Sequence, residues 1–214
     1  MNCNPVGRKT RAHVKKEKVH EADYLSGANP DETDLFVAAL SGASGSEMKA
    51  HLGRMIVDGG LWTLAIDLAL YDDPRVAFRS AWALEWAYEN DRKAFLPHAG
   101  QFLGSFVHSA SPSVHRHYAK IIYDMLLRDV LTPSPAQAVM IAERSFDLLI
   151  DPAVKPAVKV WCMDMLFWLG RMPSAESLGL SWIKEQLHET LRLIMQNAPS
   201  KGIATRARKV LVRM

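Results

Sequence analysis

The chain has 214 residues, 49% of them hydrophobic and 23% charged, with a formal net charge of +3. That length suits one domain or a short repeat array, and it buries a core without covalent staples. The two cysteines, Cys3 and Cys162, are far apart and form no CxxC pair, which argues against a disulfide framework or a cysteine zinc site.

The N-terminus, MNCNPVGRKTRAHVKKEKVH, is charged with no apolar stretch behind it, so no signal peptide is expected. The longest uncharged run, residues 94–115, carries Pro97, histidines, serines and glycines and does not read as a membrane span. A cytoplasmic protein is the expectation. The charge is unevenly spread. Residues 1–20 carry six Lys/Arg and one acid, residues 201–214 carry five Lys/Arg and no acid, and the stretch 21–200 has a net charge of −7. Basic ends attract nucleic acid or an acidic partner, or simply keep the chain soluble.

Residues 1–30 have few apolar residues and no period, and are expected to be a flexible basic tail. From Asp31 to Met214 the chain reads as one helical repeat domain. The expected helices are 31–41, 46–58, 60–71, 74–89, 92–108, 112–128, 135–150, 153–169, 176–197 and 201–213, with no alternating strand pattern. SGASGSE (41–47) is not a G-x-S-x-G nucleophile elbow, and Ser46 is expected to cap the next helix. In 135–150, Ala138, Ile141, Ala142, Ser145, Leu148 and Leu149 recur at helical spacing and predict one buried stripe.

Punctuation repeats along the chain. DPRV (73–76), SPSV (111–114) and DPAV (151–154) each place Asp or Ser before Pro, which reads as a helix start. Their valines, Val76, Val114 and Val154, lie 38 and 40 residues apart. DML follows ten residues past two of them, at 124–126 and 164–166, and Ile203 takes the valine's place in the last helix. Repeats of this length, each a pair of helices, predict an all-α superhelix, since one hairpin cannot bury its apolar face alone.

In DDPRVAFRSAWALEWAYEN (72–90), Ala77, Ser80, Ala81, Leu84, Ala87 and Tyr88 share one helical face, and Arg75, Phe78, Arg79, Trp82 and Trp86 share the other. Counting from each valine, offset six gives Trp82, Lys120, Val160 and Lys209. Offset ten gives Trp86, Asp124, Asp164 and Arg213, and offset three gives Arg79, His117, Ala157 and Arg206. The candidate binding residues are therefore Arg79, Trp82, Trp86, His117, Lys120, Asp124 and Asp164. Aromatic and Arg residues anchor interfaces and also stack bases. Packing against neighbouring helices is the competing reading of the two tryptophans.

No catalytic pattern is present. His115 and His117 diverge by about 200° on a helix, so they do not chelate one metal. There is no H-E-x-x-H and no phosphate loop. No metal, no cofactor and no catalytic residue is expected.

The D-P-x-V starts, the small-residue-rich helices behind them and FLPHAGQFL (95–103) resemble HEAT repeats over roughly residues 45–214. More narrowly, DDPRVAFRSAWALEWA, SPSVHRHYAKIIYDML, AVKVWCMDML and GIATRARKVL, in that order, resemble a family of small uncharacterised bacterial HEAT-like proteins common in Bacteroidetes. That resemblance implies a right-handed α-solenoid of four helix pairs with an extra N-terminal segment. It also implies a protein or peptide partner on the concave face. The alternative is a nucleic-acid-binding protein similar in outline to the HEAT-like alkylpurine DNA glycosylases, whose concave groove uses tryptophan and aspartate. The acidic middle of this chain departs from their basic surface.

Overall fold

Several of the helices start at a proline, Pro74, Pro112, Pro135 and Pro156 among them. The computed structural model describes residues 30–42, 45, 47–197 and 200–214. Those residues are helices joined by turns, with no strand among them. The basic tail, apart from Pro30, and Ser46 lie outside the described residues.

The helices are α1 (Pro30–Gly42), α2 (Met48–Gly59), α3 (Trp62–Leu68), α4 (Pro74–Asn90), α5 (Arg92–Phe95), α6 (Ala99–His108), α7 (Pro112–Leu127), α8 (Pro135–Ile150), α9 (Pro156–Leu169), α10 (Trp182–Gln196) and α11 (Lys201–Arg213). Pro74 opens α4 behind Asp73, whose carboxylate accepts from the Arg75 N–H at 2.8 Å. Pro135 opens α8 behind a capping box of Ser134 and Gln137. Pro112 opens α7, but the Ser111 hydroxyl does not cap it. A proline at the first helical position lacks the N–H that would go unpaired there.

Four boundaries differ from expectation. The helix expected over 92–108 divides at Pro97 into α5, a 3-10 turn (Leu96–His98) and α6, because proline removes a helical donor and clashes with the preceding turn. DPAV does not start a helix. Asp151 ends α8 and accepts from the Ala153 N–H at 2.8 Å, and α9 begins only at Pro156. Lys155, before that proline, is held extended. The helix expected from 176 begins at Trp182, after turns that include Gly179 at φ 67°. The helix expected over 60–71 is shorter, Trp62–Leu68.

The helices form two rows. α2, α4, α7, α9 and α11 pack side by side in that order, and α3, α6, α8 and α10 pack against them. Aromatic contact between Phe146 and Trp182 joins α8 to α10. In the first row, α4 and α7 run in the same direction, and so do α9 and α11, because contacts climb in step. Glu85 meets His117 and Tyr88 meets Asp124; Asp164 meets Arg206 and Phe167 meets Arg213. The core lies between the rows. All six expected stripe residues of α8 are buried, as is the Ala77–Tyr88 face of α4. The buried Ser80 hydroxyl donates to the Ala65 carbonyl of α3 at 2.6 Å, so it costs no unpaired donor.

Candidate functional site

The helix starts reset the register of the repeat. Val76, Val114, Val158 and Ile203 are each the third residue of a first-row helix, and each is buried. Val158 therefore replaces Val154 as the equivalent of Val76. A proline misplaced by one turn in the sequence reading caused the slip. At offset six the column becomes Trp82, Lys120, Asp164 and Lys209, pointing away from the second row. Asp164 thus belongs beside Trp82 and Lys120, not beside Trp86 and Asp124.

Trp82 is half-buried and stacks on Phe78, with ring centroids 5.9 Å apart and planes 16° apart. Trp86 is also half-buried. It lies on Gly53 of α2, where a Cβ would come within 2.2 Å of the indole ring, and Arg54 sits over that ring at 5.9 Å. Trp86 thus serves packing and surface together. Arg79 turns away from the column. Its guanidinium donates to the carbonyls of Leu40 and of Ser41, the latter at 2.9 Å, at the C-terminal end of α1, where a cation offsets the unpaired carbonyls.

His117 is buried, and its Nδ1 hydrogen-bonds Glu85 of α4. Lys120 donates to Glu85 and to Glu89, each at 2.7 Å. Lys49 of α2 donates to Glu85 at 2.8 Å. One carboxylate, 9% exposed, therefore ties α2, α4 and α7 together. Burial alone would raise the Glu85 pKa, but the bonds from His117, Lys120 and Lys49 outweigh it and hold the carboxyl far below the usual range. The two glutamates hold the Lys120 pKa up despite its partial burial.

Asp124 accepts from Tyr88 at 2.9 Å, Arg92 at 3.2 Å and Arg128 at 2.8 Å. Partial burial would raise its pKa, but these donors, Arg128 first, lower it. Burial and the neighbouring Asp124 raise the Tyr88 pKa. Asp164 is buried against Arg206 of α11. A guanidinium nitrogen sits 2.9 Å from Oδ2 but out of line for a hydrogen bond, so that oxygen makes none. Burial pushes the Asp164 carboxyl up to about 6, against the pull of Arg206 and Arg213.

The structure thus brings Trp82, Lys120 and Asp164 onto one column and sets His117 and Asp124 into the seams between first-row helices. Sequence reasoning missed Glu85, the hub of the cluster. The signal available was a single acid inside SAWALEWAY (80–88), an otherwise uncharged run. It also missed Tyr123 and Trp161, which pack across α7 and α9 with centroids 5.3 Å apart.

Glu85 and Asp124 are saturated with donors and held anionic, which suits neither to general-base work near pH 7. A shallow recess between α9 and α10 is lined by Leu166, Phe167, Gly170, Arg171, Lys184, Leu187 and Met214, with no acidic side chain among them. Among the described residues, no three His, Cys, Asp or Glu converge as metal ligands. No described helix is long and apolar enough to cross a membrane. No family model, no curated protein and no solved structure matches the chain.

Proposed function

We propose that this chain is a short α-solenoid of HEAT-like helix pairs, and that it acts as a non-enzymatic scaffold. In this reading it binds a protein or peptide segment on the face of the α4–α7–α9–α11 row, which forms the concave side. The observation that carries the reading is the placement of Trp82. It stands on the outward side of α4, half-exposed, stacked on Phe78. Beneath it the Glu85 cluster fixes the spacing of three helices. A rigid aromatic on a pre-organised support is what an interface anchor needs. Trp82 and Lys120 present that face and Trp86 borders it; His117, Asp124 and Asp164 lie in the seams beneath it, and Arg79 is turned to the end of α1.

The test is selection of a random displayed dodecapeptide pool on the full chain, run in parallel on Trp82→Ala. Enrichment on the native chain that collapses on the variant supports the reading. A pool that never enriches, or enriches equally on both, refutes it. A second reading, nucleic-acid binding, is favoured by α11, which carries five cations and no acid. Anisotropy of labelled duplex and single-stranded DNA at two salt concentrations separates the two. Binding that falls steeply with salt favours the nucleic acid.

A further inference from the structure

The outward face of the first row has a charge that neither the net charge nor the acidic middle of the sequence suggests. Among the described residues, every carboxylate of α4, α7, α9 and α11 is already engaged: Glu85 and Glu89 by Lys120, Asp124 by Arg92 and Arg128, and Asp164 by Arg206. The cations are not matched in return. Arg116 on α7 and Lys209 on α11 are exposed and make no ion pair among the described residues. Among the described residues, the only carboxylate within 4 Å of the Arg75 guanidinium is Asp73, 3.9 Å away on its own turn, and the Arg75 side chain is 78% exposed. By helical geometry Arg75 and Arg116 flank the Trp82 column on α4 and α7, and Lys209 is its last member on α11. An aromatic platform is therefore bordered by unmatched positive charge.

From this we infer, building on the scaffold reading above, that the ligand of this face is a short acidic peptide segment. It would carry an aromatic or large aliphatic side chain for Trp82 and carboxylates for Arg75, Arg116 and Lys209. The span supports a segment of that size. Three helix-to-helix steps of about 9 Å from α4 to α11 are crossed by about eight extended residues. A nucleic acid fits less well. It brings one charge per ~1.7 Å of duplex, and beyond the cations of α11 it would run onto a chain whose residues 21–200 carry a net charge of −7.

The enriched dodecapeptides are sequenced, and the most enriched one is synthesised with a fluorescein label. Its anisotropy is titrated with the full chain, with R116E/K209E and with R116Q/K209Q. Both positions are exposed and unpaired, so the variants retain the helical circular dichroism and melting of the native chain. The expected result is a peptide rich in Asp or Glu around an aromatic or aliphatic residue. Its Kd weakens about tenfold in the charge-reversed variant and less in the neutral one, since each exposed pair contributes under about 1 kcal/mol. Enriched peptides that are neutral or basic, or a Kd indifferent to the reversal, overturn the acidic-ligand inference while leaving peptide binding intact. A pool that does not enrich at all overturns both. A labelled 20-base-pair duplex that binds more tightly than any selected peptide overturns the inference in favour of a nucleic acid.

Discussion

Replacing Glu85 by glutamine removes one charge and almost no volume, so its effect isolates the ion cluster. Three donors converge on that carboxylate. The His117 side chain is 8% exposed, that of Lys49 21% and that of Lys120 37%. Breaking a buried pair costs about 3–5 kcal/mol when the remaining charge is trapped. Here both lysines reach water, and only the His117 side is sealed, so we expect a loss of about 2–3 kcal/mol at pH 7. For a chain of this size that lowers the melting temperature by roughly 5–10 °C. The pH dependence is a second signature. The folded-state pKa of Glu85 lies below its unfolded value of 4.5. Its contribution is therefore present above pH 4.5 and is lost as the pH falls towards the folded-state value. Urea unfolding of the native chain and of Glu85→Gln should differ at pH 7, and the gap should narrow steadily as the pH drops from 4.5 to 3. A gap that is absent at pH 7, or that stays constant down to pH 3, refutes the assignment of Glu85 as the hub.

Gly53→Ala gains helix propensity of about 1 kcal/mol but drives a methyl into the Trp86 ring. We expect a net loss of about 1–2 kcal/mol and a shifted tryptophan emission, and a stabilised protein would contradict the contact. Asp164 has the opposite sign to Glu85. Its pKa is raised from 3.8 to about 6, so the stability it permits is fully present below pH 3.8 and is lost as the pH rises through 6. Asp164→Asn should flatten the stability profile between pH 4 and 7, gaining about 1 kcal/mol at pH 8 after the lost attraction to Arg206 is allowed for. A loss at pH 8 would show that the Arg206 pair dominates. Arg79→Met removes the donor at the end of α1; amide exchange should rise in α1 first, by about tenfold, and a uniform rise across all helices would contradict a local cap.

Much of the fold is legible in the sequence because helix periodicity and proline placement are local signals. The α8 stripe and the buried face of α4 follow from spacing alone. The register of α9 does not. DPAV and KPAV each offer a proline start, and only the packing of Val158 and the extended Lys155 decide for the second. The site was half legible for a related reason. Periodicity shows that Trp82 and Lys120 face one way, but not which charges are already taken. Glu85 lies 36 residues from Lys49 and 32 from His117, and such pairings appear only once helices are neighbours. The same holds for Arg79, which reads as a surface cation and instead closes α1.

The most direct test of the central claim uses the six tryptophans of the chain as reporters. Their indole N–H signals are followed by two-dimensional NMR as a selected peptide is titrated in. The account predicts that the Trp82 signal moves most and that of Trp86 next. Trp62, buried behind the row, and Trp182, on α10, should stay in place. Movement centred on Trp62 or Trp182, with Trp82 unchanged, would place binding elsewhere and contradict the claim that the first-row face is the interface.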